Sequence, residues 1–174
     1  MDAGVPMTVS GVRVELPSNT PVVLLREQEG ERFLPIWVGP VEAMAISSAM
    51  EGVEPPRPQT HDLLKSVIEH LEATPIRVVV TELRDNVFFA DLILSIGGRE
   101  VAVSSRPSDA IALAVRTNMP VFAAPQVLDD AGIEIREQDE EQEETEIERF
   151  REMLEDLTVE DFMDPGSEEG PPDS

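Results

Sequence analysis

The sequence predicts an α+β fold: an internally duplicated strand-strand-strand-helix unit with a connecting helix, followed by an acidic, partly helical C-terminal tail. Three observations carry this. Residues 12–50 align without a gap to residues 79–117 at a constant offset of 67, and ten of the 39 positions are identical. Each copy changes from strand-like apolar runs to helical spacing at the same place. Charge then divides the chain: through Leu128 there are 10 basic and 16 acidic residues, whereas from Asp129 onward there are 3 basic and 20 acidic.

In the first copy VRVEL, VVLLREQ and RFLPIWV read as strands and PVEAMAISSAM as a helix. In the second, VVVTEL, VFFADLILSI and REVAVSS precede the helix PSDAIALAVRT. Asp85-Asn86 and Gly97-Gly98 supply tight hairpin turns because Asn and Gly tolerate positive φ, and Asn19 and Gly30 are expected to do the same in the first copy. Between the copies, Thr60 is expected to cap a third helix whose Leu63, Leu64, Val67, Ile68 and Leu71 form an apolar stripe. The domain is expected over residues 7–128 and the acidic extension over 129–174. Within that extension Ile147, Phe150, Leu154 and Leu157 suggest a short helix near 145–157, and the end after Pro165 suggests disorder.

Composition narrows the chemistry. There is no cysteine, so disulfides, thiolate metal sites and Cys nucleophiles are excluded. The net charge of −23 excludes binding of duplex DNA through a broad basic face, so any nucleic-acid site must be local. No stretch has the roughly 20 apolar residues that cross a bilayer, and the expectation is a cytoplasmic protein. No phosphate loop, dinucleotide fingerprint, HExxH or nucleophile elbow is present.

Three stretches hold the candidate residues: LPIWVGPVEA (34–43), PPRPQTHDLL (55–64) and SSRPSDAIAL (104–113). Glu42 and Asp109 each lie two residues after a proline, which suits an acid in the first turn of a helix opened by that proline and requires no catalytic role. Gly39 is explained by backbone geometry. His61 beside Asp62, after Arg57-Pro58, joins a possible general base, a carboxylate and a phosphate-binding guanidinium; a helix-dipole acid and a packed imidazole explain the same pair. Arg57 and Arg106 could each clamp two phosphate oxygens, or pair with Glu42 or Asp109. Trp37 could stack on a base, but a buried or interface ring is the commoner fate. His70 is expected on a solvated helix face.

Taken in order and at these distances, LPIWVG-x-x-EA, RP-x-THDLL and RPSDAIALA resemble the bifunctional nuclease domain family, whose members are described as acting on DNA and RNA. The closing FREMLEDLTVEDF is similar to an extension found in bacterial members. The resemblance implies a nuclease in which Glu42, Asp62 and Asp109 hold a divalent cation (Mg²⁺ or Mn²⁺), His61 moves a proton, and Arg57 and Arg106 bind phosphate. It also implies a homodimer or higher homo-oligomer. Ser104 stands where the family commonly has an acid. The alternative is a non-enzymatic interaction module whose acidic tail docks on a basic partner protein or on the domain's own arginines.

Overall fold

The structure is a computed structural model that describes residues 4–134. The expected helix near 145–157 and the expected disorder after Pro165 lie outside the described residues. Eight strands and four helices follow in the order β1 (Val5–Glu15), β2 (Thr20–Glu27), β3 (Arg32–Trp37), α1 (Pro40–Met50), α2 (Thr60–His70), β4 (Thr74–Arg84), β5 (Val87–Ile96), β6 (Arg99–Ser105), α3 (Pro107–Thr117), β7 (Val121–Ala123), α4 (Pro125–Ala131) and β8 (Ile133–Glu134). The α+β class and the duplicated unit are both present. α1 and α3 begin and end at positions related by the offset of 67, and β2 and β5 start on the same frame.

All strands join one sheet in the order β6-β5-β4-β7-β1-β2-β3-β8. Each copy contributes an antiparallel meander, and the two meet at the short strand β7, which runs antiparallel to β1 and parallel to β4. β1 and β4 therefore run in opposite directions, and the copies are related by a pseudo-twofold axis through the sheet centre. The axis is imperfect at the margins. β8 covers the outer edge of β3, whereas β6 is an edge exposed over Arg99–Ser104.

The turns follow the residues that make them. Asp85 and Asn86 have φ of 51° and 60°, and Gly97 and Gly98 have φ of 57° and 79°, the signs that two-residue hairpins need to match strand twist. Asn19 shares this conformation with φ of 54°. Gly30 does not: the four-residue loop from Gln28 to Glu31 keeps it at negative φ. There its missing side chain instead leaves room for the Glu27 carboxylate, which bonds Arg32 at 3.1 Å.

The core lies between one face of the sheet and the helices. α3 is its centre, packed on α1, α2, β4 and β5. Ala110, Ile111, Ala112, Leu113 and Ala114 are all buried, and the three alanines let neighbouring elements approach closely. Val78 and Val80 of β4 and Val23 and Leu25 of β2 bring the sheet side chains to the same cluster. The expected stripe on α2 is not a core stripe. Only Ile68 is buried, while Leu63 and Leu71 are 58% and 70% exposed; among the described residues α2 packs chiefly on α3 and less on β4. The segment after Thr117, unassigned from sequence, supplies β7, α4 and β8.

This distribution predicts that Leu113→Ala, at the centre of α3, lowers the unfolding free energy by about 2–5 kcal/mol. Leu71→Ala on the exposed flank of α2 is expected to change it by less than about 0.5 kcal/mol. Urea denaturation followed by circular dichroism checks both.

Candidate functional site

Three helices start near the candidate residues, and each starts in the same way. Gly39, Gln59 and Arg106 are the N-caps of α1, α2 and α3, so Glu42, Asp62 and Asp109 all occupy the third helical position. An acid there faces the unpaired N–H groups and the positive end of the helix dipole. Prolines open α1 and α3, as the sequence predicts. Thr60 is the first helical residue of α2 and not its cap; Gln59 and Asp62 form a reciprocal capping box instead.

The packing of α1 on α3 brings two of these starts together. Arg106 reaches Asp109 with Nε and Nη2, at 2.6 and 2.9 Å, and Glu42 with Nη1 at 3.1 Å. One guanidinium thus bridges the acids of both copies. His61, with only 12% of its side chain exposed, places Nε2 3.2 Å from Asp109 Oδ1. The Arg106 guanidinium, and then His61, hold the Asp109 carboxyl below its ordinary value.

Asp62 points elsewhere. Its Oδ1 accepts from Arg116 Nε at 2.6 Å and its Oδ2 from the Gln59 backbone N–H at 2.9 Å, and Arg116, chiefly, holds its carboxyl below the ordinary value. Arg116 is itself 9% exposed and donates to the Ala112 carbonyl at 2.8 Å, so Asp62 neutralises a nearly buried cation. Neighbouring His61 and Asp62 therefore serve different partners, as a helix requires of adjacent residues. Arg57 is exposed in the loop before α2. Glu42, His61, Arg106 and Asp109 are brought together; Asp62 and Arg57 are not.

Glu42 and Arg106 line a cleft of about 320 Å³. One wall is Trp37 to Gly39 from the end of β3; the other is Asn86, Val87 and Phe88 from the β4–β5 hairpin; Arg106 to Ser108 close the base. Asp109 and His61 stand behind Arg106 and do not line it. Trp37, expected as a buried or interface ring, is 51% exposed in the single chain, and its Nε1 donates to Glu15 Oε2 at 2.9 Å. Glu15 sits on β1 next to β2, across which Trp37 lies. Ser104 lies opposite Asp91 on the edge pair and does not line the cleft, so the departure noted there leaves the cleft itself intact.

The ligand set implied for a divalent cation was Glu42, Asp62 and Asp109. These three do not converge, and among the described residues no group of three His, Asp or Glu side chains is gathered to hold a metal. Glu42 and Asp109, joined through Arg106, remain as a partial set. Mg²⁺ is commonly held by one or two carboxylates with substrate phosphate and water completing its shell; of the two, Glu42 alone lines the cleft.

The hairpin residues Asn86 to Phe88, together with Glu15 and Arg116, escaped sequence reasoning. The signal for the hairpin lies in the repeat: one copy's β-hairpin meets the other copy's strand-to-helix junction only because the copies face each other about a twofold axis. Arg116 has no such signal, being set by the tilt of α2 on α3.

Among the described residues no helix is long and apolar enough to cross a membrane. The family model for the bifunctional nuclease domain matches residues 23–136. The uncharacterized protein Rv1829 of Mycobacterium tuberculosis is 43% identical over 159 residues, covering 88% of this chain and 95% of that one. Bifunctional nuclease 1 of Arabidopsis thaliana is 32% identical over 105 residues and that of Oryza sativa subsp. japonica 26% over 117 residues; the matched segments are 32% and 35% of those longer proteins.

Two tests follow from the ion pairs. A carboxyl held low when folded stabilises the fold above its ordinary value, near 3.8, and that stabilisation is lost as pH falls through the lowered value. Unfolding free energy should therefore be flat near neutrality and fall below about pH 4, and Asp62→Asn should flatten that acid limb. Asp62→Ala, which strips Arg116 of its partner, should cost on the order of 2 kcal/mol, whereas Arg57→Ala should leave the melting temperature unchanged.

With a domain model matching most of the chain and a 43% identical relative spanning nearly all of it, the chain belongs to the bifunctional nuclease domain family.

Proposed function

We propose that the Trp37–Arg106 cleft binds and hydrolyses a phosphodiester of RNA or DNA. The observation that carries this reading is Arg106, whose side chain is 64% exposed at the cleft while its guanidinium is aimed by two carboxylates at once. A guanidinium so held presents its remaining N–H groups in a fixed direction, the arrangement suited to a phosphate and to the charge that develops on its oxygens during substitution. The domain's overall negative charge makes such a local cation the means of phosphate recognition.

In this scheme Arg106 orients the phosphorus and stabilises its equatorial oxygens. Glu42, at the cleft wall, takes a proton from the attacking water; the new P–O bond forms as the old one breaks, and the leaving oxygen takes a proton from solvent water. Asp109 keeps Arg106 in place, and His61 keeps Asp109 in place and supplies a proton reservoir behind it. A bound Mg²⁺ or Mn²⁺, held by Glu42 with the substrate phosphate and water, would supply charge neutralisation and a more acidic water. Asp62 and Arg116 fix the start of α2, and so the position of His61.

End-labelled RNA and DNA incubated with purified protein in Mg²⁺, Mn²⁺ or EDTA tests this. Cleavage is expected, with Arg106→Ala and Glu42→Gln each lowering kcat/KM by about a hundredfold or more; Glu42→Gln should melt close to the parent, whereas Arg106→Ala, which leaves Glu42 and Asp109 without their shared cation, should melt lower but still unfold cooperatively above the assay temperature. His61→Ala should lower activity by roughly tenfold or more through disorder of Asp109, and His61→Gln should restore part of it. Cleavage unchanged in Arg106→Ala would place the activity elsewhere.

The charge asymmetry favours one second reading, a non-enzymatic module whose acidic extension contacts a basic protein partner. Removing residues 137–174 separates the two: loss of partner capture with no nuclease activity in either form supports the module, and retained or increased cleavage supports the nuclease.

A further inference from the structure

We infer that the cleft receives an unpaired base stacked on Trp37, which makes single-stranded nucleic acid the substrate class of the proposed site. This rests on the phosphodiester reading above and extends it to the base. A tryptophan ring 51% exposed leaves a large apolar surface in water, where burial would be favourable. Here the ring is also fixed: its single N–H is taken by Glu15, so both polar demand and orientation are settled before any ligand arrives. What remains open is the aromatic surface at the mouth of the cleft.

The remaining lining completes a nucleotide-sized site. Val87, 54% exposed, and the half-buried Phe88 supply apolar surface from the opposite hairpin, and Asn86 at its tip brings an amide able to donate to and accept from a base edge. Arg106 lies at the base of the same cleft. Its volume of about 320 Å³ is at the small end of ligand pockets, roughly 300–1,000 Å³, suited to one nucleotide and not to a paired helix. In a duplex both faces of each base are already stacked, so engaging Trp37 requires unstacking; an unpaired base does so freely.

The repeat gives an independent reason. At the offset of 67 the counterpart of Trp37 is Ser104 and the counterpart of Arg106 is Gly39. The two copies have therefore diverged in complementary directions around the cleft they share: the first has an aromatic and no side chain at the helix cap, the second a guanidinium at the cap and no aromatic. Of the four positions Trp37, Gly39 and Arg106 line the cleft and Ser104 does not, so one copy supplies the stacking surface and the other the phosphate contact.

Trp37 is the sole tryptophan and the chain has no tyrosine, so its emission reports on this site alone. The experiment titrates the full chain in Mg²⁺ with phosphorothioate-linked oligonucleotides, which resist hydrolysis, as a single strand, as a strand of the same length with abasic residues, and as a duplex. The single strand should quench Trp37 emission. The abasic strand and the duplex should bind at least about tenfold more weakly with little quenching. By anisotropy of a labelled single strand, Trp37→Ala should weaken binding roughly 5- to 100-fold, and Trp37→Phe should retain most of the affinity. A single strand that binds without quenching, or equal affinity for the parent and Trp37→Ala, overturns the stacking inference while leaving the phosphodiester reading in place. Failure of all three oligonucleotides to bind overturns both.

Discussion

The packing of α1 against α3 across the pseudo-twofold axis is the constraint on which the rest depends. Neither helix could approach the other so closely with large side chains on α3; Ala110, Ala112 and Ala114 are buried there, and the sheet beneath supplies the bulk through Val78, Val80, Val23 and Leu25. Because both helices open with proline after a strand that ends at the same side, their close packing brings two N-terminal turns together. Each turn carries an acid at its third position. Two acids near one another are electrostatically unfavourable unless a cation is shared between them, and Arg106 is that cation.

A symmetric fold thus hosts an asymmetric site. Duplication supplied two equivalent strand-to-helix junctions, and the present residues divide the work between them. Gly39 leaves space over the start of α1 that the Glu42 carboxylate occupies, whereas Arg106 at the matching cap of α3 fills the space between the copies. His61 and Asp62 come from outside the repeat and strengthen only the second junction: His61 meets Asp109, and Asp62 ties α2 to α3 through Arg116. The sheet margins differ in the same sense, with β3 covered by β8 and β6 left bare.

Much of this architecture was legible before the fold was known, and the reason is local. Helix starts at Pro40 and Pro107, and the Asp85-Asn86 and Gly97-Gly98 turns, are dictated by residues with restricted or unusual φ, which act within a few positions of themselves. The helix-cap reading of Glu42 and Asp109 also followed from short-range rules joined to the repeat, and an ion pair of Arg57 or Arg106 with one of these acids was one option there; that Arg106 joins both at once was not. Properties that depend on which neighbour arrives were not legible. The apolar stripe of α2 is mostly exposed among the described residues, where only Ile68 is buried. The alternation of β3 left Trp37 as a buried or an interface ring, and only the fold shows that the strand ends at a cleft. Short pieces such as β7 carry too few residues to show a period, although β7 is the strand that joins the two halves.

The central claim is that phosphodiesters are recognised at the junction of the two copies through Arg106. Amide chemical-shift mapping of the 174-residue chain with a short phosphorothioate oligonucleotide tests it most directly, because it locates contact without requiring turnover. The account predicts that the largest shifts cluster at residues 37–42, 86–88 and 106–109 and vanish in Arg106→Ala. Shifts centred on other arginines, with these three segments unmoved, would contradict it.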